Sequence, residues 1–233
     1  MTATPDSTAS SRTGDARPAH RFMPASKIDN YVSERGAKAY FDDHQNKLHR
    51  KVSDRRERRI LSDFLQRCAP IGDLLDCPSG FGRLLSLCRE HAERVTEADF
   101  SPSMLALNED MNGEKASYLR CSALEIPRPD DSFDVAISVR LSHHLDDKQD
   151  RLRHIDELCR VARSGVVLTF FSTKSLKDRM RRLRRLWNKK RPKNTLSPDE
   201  VRAQFEARGF QVDAMTPLAR IGSGHVYVLA RRR

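Results

Sequence analysis

The stretch GDLLDCPSGFGRLL, residues 72–85, constrains the fold more than any other part of the chain. A short apolar run, Leu74 and Leu75, passes through Asp76 into a turn holding Gly80 and Gly82, and an apolar helical pattern follows. This order predicts a buried strand, a ligand-facing turn at its carboxyl end, and a helix. Glycine at 80 and 82 lets backbone approach a ligand where a side chain would collide. A dinucleotide fingerprint would carry a third glycine three places after Gly82, but Leu85 stands there, which weakens a pyrophosphate reading.

Downstream of this turn, short apolar runs alternate with helical ones. Strand candidates LLDC, RVTEADF, YLRCS, FDVAISV and GVVLTFF are interleaved with helix candidates RLLSLCREH, SPSMLALNEDM and DKQDRLRHIDELCRVA. Such alternation predicts an α/β fold with a doubly wound, Rossmann-like parallel sheet and right-handed crossovers. Near the end, SPDEVRAQFEARG reads as a capped helix, with Ser197 as N-cap, Pro198 in the first turn, Glu200 closing a capping box and Gly209 as the stop. FQVDAM and HVYVLA then follow with only the turn-rich PLARIGSG between them, so they are expected to pair antiparallel. Upstream, residues 33–48 and 53–68 read as helices, the second opening at Ser53 with Ile60, Leu61, Phe64, Leu65 and Cys68 on one face.

With 233 residues the chain can bury one sizeable α/β core plus a tail. Residues 1–28 are expected to form a disordered N-terminal tail and 29–233 a single domain. The first twenty residues lack the apolar centre of a signal peptide. Five scattered cysteines without a CxxC pair fit reduced thiols in a cytoplasm and give no structural zinc framework. A formal charge of +11 favours an acidic partner, whether nucleic acid, anionic membrane or phosphorylated substrate, without choosing among them.

Residues 72–85 resemble the first motif of the class I S-adenosylmethionine-dependent methyltransferases, an acidic residue followed by a glycine-rich turn. EADFSPSML (97–105) is similar to the family's second-strand acid and helix start. IPRPDDSFDVAISVRLSHHL (126–145) is similar to the segment through the fourth strand, and RVARSGVVLTFF (160–171) to the fifth. Together these cover roughly residues 70–230 in family order, and they resemble the small-molecule, type 11-like branch. The resemblance implies a seven-stranded, mostly parallel sheet closed by an antiparallel C-terminal hairpin strand, with S-adenosyl-L-methionine as cofactor.

That cofactor carries a sulfonium, an amino acid zwitterion, a ribose diol and an adenine, but no phosphate. The resemblance places Asp76 near its cationic end, with Pro78, Gly80 and Gly82 in the turn around it. Asp99, at the end of the next strand and just before Phe100, would accept the ribose hydroxyls. Ser122 and Ala123 would lie near the adenine. Two departures stand out: Pro78 and Ser79 replace a glycine and an often-present cysteine, removing one backbone donor, and Ser122 replaces a frequent aspartate. Asp76 and Asp99 also have plainer readings, as turn or strand-end carboxylates.

Methyl transfer is an in-line displacement, so alignment supplies much of the acceleration, and a base is needed only when the acceptor arrives protonated. After the fourth strand come Arg140, His143 and His144. His144 matches a histidine common in the small-molecule branch, which implies a base; Arg140 is a candidate for holding an anionic acceptor. Adjacent histidines also cap helices or fill space against a sheet. The Asn- or Asp-Pro-Pro-aromatic turn of adenine methyltransferases is missing from SVRLSHH, and no carboxylate set for catechol-type metal ligation follows the fourth strand, so no metal is expected.

Residues 174–193, KSLKDRMRRLRRLWNKKRPK, hold eleven Lys or Arg and one acid, with Leu176, Met180, Leu183 and Trp187 at helical spacing. This predicts a basic amphipathic helical insertion. It suits an anionic membrane surface with Trp187 at the interface, RNA phosphates, or a lid over the acceptor pocket; sparse aromatics disfavour single-stranded nucleic acid. The expected function is methyl transfer to a small or lipid-linked acceptor, at oxygen, in a cytoplasmic protein or one peripheral to the inner face of a membrane. RNA methylation and a non-catalytic cofactor-binding protein are the alternatives.

Overall fold

The computed structural model describes residues 48–174, 194–219 and 223–233. The expected N-terminal tail, the helix over 33–48 apart from Leu48, and the basic stretch apart from Lys174 lie outside the described residues. Seven strands form one sheet: β1 (Ile71–Asp76), β2 (Ala92–Asp99), β3 (Ser117–Arg120), β4 (Phe133–Ser138), β5 (Ala162–Phe171), β6 (Phe210–Pro217) and β7 (His225–Arg232). Their order is β3-β2-β1-β4-β5-β7-β6. The first five are parallel, while β7 runs antiparallel to both β5 and β6. The α/β sheet expected from the sequence is therefore the one observed, including the closing hairpin.

Helices cover both faces: α1 (Leu48–Gln66), α2 (Leu85–His91), α3 (Pro102–Asn112), α4 (Lys148–Val161) and α5 (Pro198–Glu206). Consecutive strand residues explain why two layers are needed. Leu75 and Val166 join a core with Ile155, Leu158, Val201 and Phe205 of α4 and α5. Their neighbours Leu74 and Val167 join a second core with Leu61, Phe64 and Leu65 of α1 and Leu85 of α2. A strand buried on both sides must be apolar at successive positions, and the runs LLDC and GVVLTFF are.

Local signals behave as chemistry requires. The Ser197 hydroxyl accepts from the Glu200 N–H at 3.1 Å while the Glu200 carboxylate accepts from the Ser197 N–H at 2.7 Å, and Gly209 adopts φ +77° after the helix. Ser101 and Asp147 cap α3 and α4 in the same manner. One boundary differs: α1 is already helical at Leu48, so Ser53 lies inside it rather than capping it. The preceding Leu-His-Arg-Lys-Val run contains neither glycine nor proline, and nothing there stops the helix.

β1 delivers Asp76 to the sheet's carboxyl edge level with Glu97, so β2 overshoots it by two residues and carries Asp99 above the β1 turn. That stagger creates the crevice described next. Among the described residues no helix is long and apolar enough to cross a membrane.

Candidate active site

The turn after β1 is clipped to both neighbouring strands. Cys77 N–H donates to the Ile137 carbonyl at 3.0 Å and Ser79 N–H to the Ala98 carbonyl at 2.8 Å. Gly80 takes φ +59°, a conformation costly to other residues, and donates its N–H to Asp99 Oδ2 at 2.9 Å. Asp99 Oδ1 accepts from the Ser101 N–H at 2.8 Å. Each carboxylate oxygen thus spends one acceptor site on the scaffold and keeps capacity for a ligand. Burial raises the Asp99 pKa, against the lowering effect of these backbone donors.

Around this turn lies a cavity of about 900 Å³, counting the space open to solvent at its mouth. Its polar wall comprises Asp76, Ser79, Asp99, Ser101, Arg83, Arg140 and His144; Phe81, Leu84, Phe100, Met104, Val139 and Leu141 supply the apolar wall, with Pro78 and Gly80. A crevice outside the strand ends of an open α/β sheet is where ligands bind in such folds.

Asp76 is 1% exposed, and neither carboxylate oxygen has a hydrogen-bond partner among the described residues. Burial and then the nearby Glu97 carboxylate push its pKa well up, Arg83 only partly offsetting them. A buried carboxylate without a partner is costly. A cationic ligand group in the cavity would remove that cost, and the ammonium and sulfonium of S-adenosylmethionine have the required charge. The residues present fit the cofactor on this ground, with the apolar wall available to its remaining surface.

Two cations of the cavity wall, Arg83 and Arg140, are held by one buried carboxylate. Glu57 of α1, fully buried, accepts from Arg140 Nε at 3.1 Å and Nη2 at 2.8 Å, pairs with Arg83 Nη1 at 2.9 Å, and accepts from the Tyr227 hydroxyl. Burial alone would raise the Glu57 pKa, but the Arg83 and Arg140 guanidiniums and the Tyr227 hydroxyl outweigh it and hold it low. Arg83 also pairs with Asp54. Arg140 sits at φ +68°, its N–H bonded to Thr169 Oγ1 at 2.6 Å. Arg140, the candidate for holding an anionic acceptor, lines the cavity and is oriented there by a bidentate ion pair, because α1 brings Glu57 beside it.

The remaining sequence candidates separate clearly. Pro78, Gly80, Asp99, Phe100 and His144 line the cavity with Asp76 and Arg140. Gly82, His143, Ser122 and Ala123 do not. Gly82 lies against α3, where an added Cβ would stand 2.1 Å from Asn108 Oδ1, so loop-to-helix packing requires glycine there. Ser122 accepts from the Leu124 N–H at 3.2 Å in a local turn, and Ala123 is buried in the α4-side core. His143 stands behind His144, ring centroids 4.1 Å apart, and contacts Phe171 and His225 at 4.3 and 5.3 Å. Glu97, on the same strand as Asp99, accepts from Asn108 Nδ2 at 2.8 Å and is absent from the lining.

Sequence reasoning missed Arg83, Glu57 and Tyr227. Arg83 follows the glycine turn directly, the position from which a cation reaches back over the crevice, and that was the one available signal. Among the described residues no group of three or more His, Cys, Asp or Glu side chains is arranged to hold a metal.

Residues 75–170 match the family model described as a methyltransferase domain. Magnesium protoporphyrin IX methyltransferase from Synechocystis PCC 6803 with bound SAH superposes with a TM-score of 0.73 at 14% identity, over 89% of this chain and 99% of that one. The same enzyme with bound SAM gives 0.68 at 14% identity, over 89% and 96%. A SAM-dependent methyltransferase from Thermotoga maritima gives 0.59 at 16% identity, over 88% and 100%. No curated protein gives a significant sequence match. The sheet order and the crevice are those of the Rossmann-like methyltransferase fold. The chain shares the fold of these S-adenosylmethionine-dependent enzymes, and its segment 75–170 carries the methyltransferase-domain pattern.

Proposed function

We propose that the protein transfers a methyl group to oxygen of a small or lipid-linked acceptor, with His144 as general base. The observation that carries this reading is that His144 and the unpartnered Asp76 carboxylate line one cavity. S-Adenosylmethionine supplies, when bound, an electrophilic methyl on a sulfonium.

In this reading Asp76 holds the cofactor's ammonium, and Asp99 accepts its ribose hydroxyls while Gly80 and Ser101 fix the carboxylate. Arg83, anchored by Glu57, offers its remaining N–H groups to the cofactor's carboxylate. Phe81, Leu84, Met104 and Leu141 keep water from the reacting centre. His144 takes the acceptor's hydroxyl proton, a transfer suited to imidazole near neutral pH. His143, stacked behind it, is a positioning residue. The basic segment 174–193 supports a lipid-linked acceptor, since its composition suits an anionic leaflet.

The test is turnover with labelled S-adenosylmethionine on extract fractions, followed by chemical typing of the methylated product. An oxygen-methyl product, with His144→Ala about 100-fold slower and cofactor affinity unchanged, is expected. A nitrogen-methyl product, or full turnover in His144→Ala, overturns the assignment.

A further inference from the structure

A second cleft lies at the other end of the sheet. Ala69, just ahead of β1, lines it, whereas Asp76 at the end of β1 lines the methyl-transfer cavity. Six strand residues at about 3.3 Å each separate the two by roughly 20 Å. The cleft has a volume of about 720 Å³, counting the space at its mouth, and four arginines border it: Arg67, Arg231, Arg232 and Arg233, with Asp213 and Gln211.

The arginines differ in how much of their hydrogen-bonding capacity is spent. Arg232 is consumed by the fold: it donates to the Arg163, Cys159 and Ala162 carbonyls and pairs with Asp131 at 2.8 Å. Arg231 is oriented by Asp213 and by the Arg67 carbonyl at 3.1 Å. Among the described residues Arg233 uses only its Nε, on the Gln211 side-chain oxygen. Arg67 has a single 4.0 Å ion pair with Asp213 and, among the described residues, no side-chain hydrogen bond. Among the described residues, both terminal nitrogens of Arg233 and the hydrogen-bonding capacity of Arg67 beyond that long ion pair therefore remain for a ligand. Against four arginines stand the carboxylates of Asp213 and Asp131, which leaves two positive charges on these side chains.

We propose that this cleft binds the phosphate group of a small phosphorylated ligand. A phosphomonoester or pyrophosphate carries negative charge to set against these arginines, and its oxygens match guanidinium forks in geometry. Arg231 and Arg232, fixed by backbone carbonyls, set the field without reorganising, while Arg67 and Arg233 make the contacts. The position, at the opposite end of the sheet from the cofactor turn, makes this site independent of the methyl donor.

The test is calorimetric titration of inorganic pyrophosphate into the full chain at constant ionic strength. Expected is saturable one-site binding that is weakened about tenfold or more by Arg67→Ala and by Arg233→Ala. It should be unchanged by Arg153→Ala, a surface charge elsewhere, and by saturating S-adenosylhomocysteine. Arg233 is exposed at the end of β7, so its variant reports on the site even if Arg67→Ala unfolds. Absence of saturable binding at millimolar pyrophosphate overturns the proposal, as does equal weakening by Arg153→Ala. Displacement by S-adenosylhomocysteine, or binding of an RNA hairpin without binding of pyrophosphate, overturns it too.

Discussion

Arg140 and Glu57, 83 residues apart in sequence, form a bidentate ion pair at 3.1 and 2.8 Å that ties the first helix to the loop after β4. Glu57 also gathers Arg83 and Tyr227, so one buried carboxylate fixes two cations on the cavity wall. Removing one partner of such a group strands charge away from water. Glu57→Ala is expected to lose about 3 to 5 kcal/mol of stability in urea unfolding. Tyr227→Phe, which deletes one hydrogen bond to a charged group, should lose about 1.5 to 3 kcal/mol. Near-equal effects of the two substitutions would contradict the view of Glu57 as the hub.

The two glycines of the β1 turn should respond differently to alanine. At Gly80 an added Cβ meets nothing within 4 Å, so Gly80→Ala costs only the left-handed backbone strain, about 1 to 2 kcal/mol. At Gly82 the same Cβ meets Asn108, whose side chain is held by Glu97, and Gly82→Ala should cost clearly more. Thermal unfolding of both variants checks the order, and a reversed order would refute the packing role assigned to Gly82.

Stability should depend on pH through two buried groups of opposite sign. Burial raises Glu97 to about 7, despite the Asn108 hydrogen bond. Its folded pKa lies above its unfolded one, so its contribution is present below about 4.5 and lost as pH rises through 7. Burial lowers His154 to about 4, so its contribution is present above about 6.5 and lost as pH falls through 4. Glu97→Gln removes the first effect, together with the upward push of Glu97 on Asp76, and leaves that of His154. The difference in unfolding free energy between this variant and wild type should shift by roughly 3 kcal/mol in the variant's favour between pH 4 and pH 8. A pH-independent difference would show that Glu97 titrates normally.

Signals that act within one turn of chain were legible in the sequence. The Ser197, Glu200 and Gly209 helix boundaries, the Asp76 turn and the Asp99 strand end each follow from a few neighbouring residues. The doubly wound order was legible because strands buried on both faces, such as GVVLTFF, cannot alternate in polarity. Contacts set by tertiary distance were not. Nothing near Glu57 in sequence announces Arg140 or Tyr227, and a helix rich in Arg and Glu reads as a solvated face. Gly82 resembled Gly80 in sequence because the residue that separates their roles, Asn108, sits on another helix. Ser122 and Ala123 were placed by the family pattern, and the local turn and core packing they also take part in were not legible from it.

Residues 174–193 carry the expectation of membrane contact. The protein should co-sediment with anionic vesicles, less at high salt as surface attraction is screened, and less for Trp187→Ala. Neutral vesicles should bind poorly. Binding to RNA with none to anionic vesicles would reject the membrane reading.

The central claim is that the Asp76 crevice binds the methyl donor, and calorimetric titration of S-adenosylmethionine into wild type and Asp76→Ala tests it most directly. One-to-one binding is expected, weakened in the variant by about 1.5 to 3 kcal/mol, the range for a lost hydrogen bond to a charged group. Ligand-free Asp76→Ala should also unfold at equal or higher urea concentration than wild type, because the unpartnered buried carboxylate is gone. No binding by wild-type protein at millimolar S-adenosylmethionine, or undiminished binding by Asp76→Ala, would contradict the account.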